Sequence, residues 1–170
     1  MSRVVGSQLP PDLLERLSGR NLEALAAKVV QIFTVDAAGW SHPALLSYFE
    51  LVASDPAHIR CATYATSTTS GNLRRSGKVT FVIIDERVAY YIKAQAAEIA
   101  PAMRATEWNA AFDCRIEQVL ADEVNEEYEP GAYVSSGVTY HNPQRAAELE
   151  RARAVIAELL GTSGGEAPRD

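Results

Sequence analysis

The stretch "ATYATSTTSGNLRRSGKV", residues 62–79, gathers six hydroxyl side chains ahead of Asn72: Thr63, Thr66, Ser67, Thr68, Thr69 and Ser70. The Tyr64 phenol stands among them, and Arg74, Arg75 and Lys78 follow. Hydroxyls just before a helix ordinarily cap it, and a cap needs one such residue. This run exceeds that need. A helix N-terminus also presents unbonded N–H groups and a partial positive charge, which together suit an anion. Ser and Thr add neutral donors and Arg a forked cationic one. Between Asp55 and Asp85 there is no Asp or Glu, in a chain with 22 acids, so a local positive potential can survive. The chemistry indicated is phosphate binding. The alternative is plain capping beside a solvated basic turn.

Other chemistry-bearing residues form no recognisable set. His42, His58 and His141 have no metal-type spacing, so no metal is expected, and His42 reads as a surface residue of a hairpin. Cys61 and Cys114 read as a reduced, buried pair. No Ser/His/Asp or Cys/His arrangement supports a nucleophile system. Lys93, inside the apolar run "YYIKAQ", either guards a sheet edge or reaches a ligand.

These residues need a scaffold. "LPPDLLERLSG" reads as a short helix with Pro11 in its first turn and Gly19 at its end. "KVVQIFTV" is a β-branched strand, and Asp36–Gly39 is a turn. "WSHPALLSYFELVA" reads as one second strand closed by "SDPA", and "HIRCATY" as a third. "KVTFVIID" and "RVAYYIKAQAAEI" follow as a hairpin through Asp85-Glu86. Pro101 is a possible helix start for "AMRATEWNAA". "FDCRIEQVLADEV" fits a sixth strand or a helix, and the strand is favoured because it supplies a partner for an open edge. Residues 143–160 predict a helix capped by Asn142, with Ala146, Leu149, Ala152, Ile156 and either Leu159 or Leu160 on its apolar face. The expected fold class is α+β: a six-stranded antiparallel split β-barrel of Greek-key type with flanking helices. It forms one domain over 1–161, with a disordered tail over 162–170.

The order of strand, hydroxyl loop, "NLRRSGKVTFVI" and "YYIKAQA", preceded by "TVDAAGWSHPALLSY", resembles the pyridoxamine 5'-phosphate oxidase-like FMN-binding split-barrel family over about residues 20–100. The resemblance implies a homodimer with FMN at the interface between two barrels. It places Ser67 at the position of the family's phosphate-binding Ser, but Thr68 and Thr69 stand where two cations are common. Arg74, Arg75 or Arg60 would then have to compensate. It also brings Leu46, Ser47 and Tyr48 towards the flavin ring. The cofactor-binding set implied is Ser47, Thr66, Ser67, Thr68, Thr69, Ser70, Asn72, Arg74 and Lys93. The C-terminal part lacks the Trp and Arg signature of a true pyridoxamine 5'-phosphate oxidase. The expected function is a flavin-dependent oxidoreductase of unknown substrate. The alternative is a non-catalytic split-barrel dimer that binds flavin, haem or another ligand, or has lost its cofactor.

At 170 residues, with 47% hydrophobic and 22% charged residues, the chain is long enough for one sizeable core. Its formal charge of −6 argues against nucleic acid or an anionic membrane as a partner. No signal-type or membrane-spanning apolar run is present, and the cytoplasm is the expected location.

Overall fold

The computed structural model describes residues 2–161; the expected tail, 162–170, lies outside the described residues. The elements in order are β1 (Ser2–Gly6), α1 (Pro11–Arg16), β2 (Val29–Val35), β3 (Ser41–Ser47), β4 (Leu51–Asp55), β5 (His58–Tyr64), α2 (Thr68–Ser76), β6 (Lys78–Asp85), β7 (Val88–Ala100), β8 (Asn109–Asp122) and α3 (Leu149–Gly161). The strands form a single antiparallel sheet in the order β3-β2-β6-β7-β8-β5-β4, with β1 paired to β8. The expected count of six strands is thus corrected to seven on the main path plus β1.

The difference arises largely in "WSHPALLSYFELVA", which breaks after Ser47 instead of continuing as one strand. The Ser47 hydroxyl accepts a hydrogen bond from Phe49 N–H at 3.0 Å, and Glu50 N–H bonds back to the Ser47 carbonyl at 3.0 Å. This local side-chain bonding competes with strand pairing and turns the chain. β3 and β4 consequently lie at opposite edges of the sheet although only three residues separate them. The two edges must meet at that corner, which curls the sheet into a split barrel with flanking helices.

One side of the curled sheet is the core. Ile32, Phe81, Ile92, Phe112 and Val119 are fully enclosed, and Leu13 and Leu17 of the α1 region close one end. A smaller apolar cluster joins Val52, Ala62 and Ala111 to Ala152, Val155, Ile156 and Leu159 of α3. That helix is shorter than the sequence predicts. Residues 143–148 form successive turns, in which Arg145 N–H bonds to the Asn142 carbonyl and Glu148 N–H to Gln144. Asn142 Oδ1 does accept from Gln144 N–H at 2.9 Å, as a cap would. The buried stripe is Ala152, Val155, Ile156 and Leu159; Leu160 and Ala146 face outwards. Spacing alone permits either stripe, and the one chosen is the one that meets β4 and β5.

No helix forms over 101–108; this segment is a loop folded against the sheet, where Met103 N–H bonds to Asn109 and Glu158 accepts from Arg104 and Ala105 N–H. After β8, residues 133–140 strap the end of the β6–β7 hairpin. Arg87 N–H bonds to the Val134 carbonyl, and Lys28 pairs with Thr139. Gly137 lies against the Ile84 carbonyl so closely that an added Cβ would fall 2.0 Å from that oxygen. Among the described residues, no helix is long and apolar enough to cross a membrane.

Candidate functional site

The hydroxyl stretch is a helix entrance. Ser67 is the N-cap of α2: its Oγ accepts from Ser70 N–H at 3.1 Å. Ser70 is fully buried, donating to the Tyr64 carbonyl at 2.7 Å and sharing a 2.6 Å bond with Thr63. Thr69 is buried, and Asn72 is a buried strut whose Nδ2 donates to Thr34 Oγ1 at 3.0 Å. Arg74 is engaged: it pairs with Glu98 at 2.5 Å and donates to the Ala65 carbonyl at 2.6 Å. Arg75 turns to the Val35 carbonyl. Arg60 bonds to Asp113 at 2.9 Å and to the Leu159 carbonyl at 2.8 Å, closing the C-terminal end of α3. At the entrance, the exposed hydroxyls of Thr66 and Thr68 remain for a ligand. Lys93 sits on β7, between β6 and β8, and donates to Gln118 at 3.0 Å. It is therefore no edge guard.

Ser47 leads to a second feature. It lines a cleft of about 340 Å³ formed by the β3–β4 corner, the end of β5, the 103–109 loop and the start of α3. Tyr64, two residues before Thr66, lines the same cleft. Glu50 projects from the corner, accepting from Ser47 N–H at 2.9 Å. Burial pushes the Glu50 carboxyl above its usual range, against the opposing pull of that bond and of Arg145. Arg145 lies over the Phe49 ring at 4.9 Å, donates to Ser47 Oγ at 3.4 Å, and pairs with Glu148 at 3.2 Å. Arg151 pairs with the other oxygen of Glu148 at 3.2 Å. Three cleft residues carry buried polar atoms with no partner: Arg145 Nε, Thr106 Oγ1 and Asn109 Oδ1.

Of the expected set, the structure brings only Ser47 into the lining of this cleft; Thr66–Ser70 and Asn72 belong to the α2 entrance and its supports, Arg74 is paired away and Lys93 lies on the open sheet face. Sequence reasoning missed Glu50, Thr106, Trp108, Asn109 and Arg145. One signal was available: Glu50 is the sole acid in the apolar run 44–53. The others come from the loop before β8 and from the turns that lead into α3, whose docking no local pattern reveals.

A curled antiparallel sheet of this connectivity, with a short helix between its fifth and sixth strands, is the split barrel of the pyridoxamine 5'-phosphate oxidase-like proteins. A pyridoxamine 5'-phosphate oxidase candidate from Lactobacillus delbrueckii superposes with a TM-score of 0.53 at 21% identity, over 70% of this chain and 98% of its own. HupZ of Group A Streptococcus gives 0.52 at 12% identity, over 78% and 100%. No family model matches the chain. YclD of Bacillus subtilis, itself uncharacterized, is 31% identical over 149 residues, 86% of this chain and 92% of YclD. The chain belongs to the YclD family of split-barrel proteins.

Proposed function

We propose that this chain is an FMN-binding split-barrel protein that works as a homodimer and serves as a flavin-dependent oxidoreductase. The observation that supports the reading is that, on this fold, the cleft at Ser47 is lined by Tyr64, which stands three residues before the Ser67 N-cap of α2. A flavin ring would lie along the outer side of β3 by Leu45 and Ser47. Its phosphate would sit at the start of α2, held by the exposed hydroxyls of Thr66 and Thr68 and the first helical N–H groups. The cofactor would supply the redox chemistry, and the chain would bind and orient it. Because Arg74 is paired with Glu98, the phosphate is held by neutral donors, and these are about half as strong as charge-assisted ones. That same pair favours the second reading, a split barrel that holds a ligand without redox turnover.

Titration of FMN and riboflavin into the full chain tests the proposal. FMN should bind more tightly than riboflavin. Thr68→Ala, on an exposed residue beside the Ser67 cap, should narrow the difference by about 0.5–1.5 kcal/mol with little effect on melting. Equal affinity for the two flavins, or no binding of either at millimolar concentration, would overturn it.

A further inference from the structure

Four large exposed side chains crowd one cleft on a protein whose core is otherwise closed. Tyr64, Trp108, Tyr140 and Leu45 are 62%, 53%, 52% and 53% exposed, and all line the cavity beside Glu50 and Arg145. Rings left in water at the mouth of a concave site offer stacking area to a flat ligand.

The floor adds a charge preference. The Arg145 guanidinium is held in place from three sides by Phe49, Ser47 and Glu148. Such a fixed fork suits a carboxylate and loses little freedom on binding one. Glu148 is shared between Arg145 and Arg151, so two cations face one paired carboxylate there. The remaining titratable groups lining the cavity are Glu50, Tyr64 and Tyr140. Glu50 is shifted towards its neutral form by burial. By formal charge Arg145 and Arg151 balance Glu148 and Glu50, so the cleft carries no net negative charge, although the chain as a whole is acidic. Thr106 and Asn109, each only 4% exposed, add polar atoms without partners for a ring substituent.

We propose that the cleft between the Ser47–Glu50 corner, the 103–109 loop and α3 binds small aromatic carboxylates. The carboxylate meets Arg145, and the ring stacks among Tyr64, Trp108 and Tyr140. As a substrate class this rests on the flavin reading; as a binding site it does not.

Calorimetric titration of the full chain, without added flavin, uses benzoate, benzamide and acetate as probes. Benzamide keeps the ring without the charge, and acetate keeps the charge without the ring. Benzoate should bind at least about tenfold more tightly than either. Arg145→Gln and Trp108→Ala should each weaken benzoate at least about tenfold. Trp108 is on the exposed rim, so its variant keeps the test open if Arg145→Gln fails to fold. Benzoate binding that matches benzamide or acetate, no benzoate binding at millimolar concentration, or a folded Trp108→Ala of wild-type affinity would overturn the proposal. Success here with no FMN binding would sink the flavin reading alone; the converse result would sink only this site.

Discussion

Asp85 shows how a single carboxylate can join several elements. It ends β6, is 6% exposed, and meets both Arg16 from α1 and Lys28, which precedes β2. Arg16 also donates to the buried Tyr48 hydroxyl at 2.8 Å, which extends the network to the β3–β4 corner beside the cleft. Against the cost of burial, the bonds from Lys28 and Arg16 hold the Asp85 carboxyl far below its usual range. A depressed carboxyl pKa stabilises the fold fully above its unfolded value, near pH 4, and that contribution fades as pH falls further towards the folded value. Asp85→Asn leaves two cations without their partner and should cost about 3–5 kcal/mol at neutral pH. Denaturant melts at pH 7 and pH 3 would check this: the deficit should shrink at the lower pH, and an equal deficit at both would contradict the assignment.

At the scale of elements, the two helices beside the cleft are anchored differently. α2 is held at both ends by local devices, Ser67 at its start and Gly77, with φ +65°, at its close. α3 depends on tertiary packing: Leu159 is fully buried, and Arg60 fastens the Leu159 carbonyl. Leu159→Ala should therefore cost about 2–5 kcal/mol, since it removes transfer energy and leaves a cavity. Leu160→Ala, on the exposed side, should cost much less. Thermal melts of the pair distinguish the observed stripe from the one centred on Leu160; equal losses would show that α3 is not docked as described. Ser67→Ala removes a cap, so it reports on the stability of α2 as well as on any ligand there.

For the whole molecule, the outward face of the sheet is the feature to be accounted for. A register row crosses it through Leu45, Gln31, Val82, Tyr91, Leu120 and Val4, and none of the six is fully buried. A row of this kind, apolar except for Gln31, is an expected surface for a second copy. The proposed homodimer would cover it and bring the two clefts close to the interface. Light scattering at micromolar concentration should give twice the monomer mass. Val82→Lys, which places a charge in the middle of the row, should shift the population to monomer. A wild type that stays monomeric would rule out the dimer.

The sequence by itself determined most strands, the short helix α1 and the entrance of α2, because alternation, β-branching, Pro and Gly act over a few residues. It also made the hydroxyl-rich stretch conspicuous, since composition is local. It did not reveal that Ser70 and Asn72 are buried struts or that Arg74 pairs with Glu98. Those partners are distant in sequence or depend on how the helix rolls against the sheet. The break at Ser47, which moves β4 to the far edge, is a balance between one local turn and the pairing of a whole strand. Only the closed sheet resolves that balance. The cleft was the least legible feature. Glu50, Asn109 and Arg145 come from three segments far apart in the chain, and each has an ordinary local pattern. The curl of the sheet, the strap over Ile84 and the docking of α3 bring them together, and these depend on packing that no short window of sequence contains.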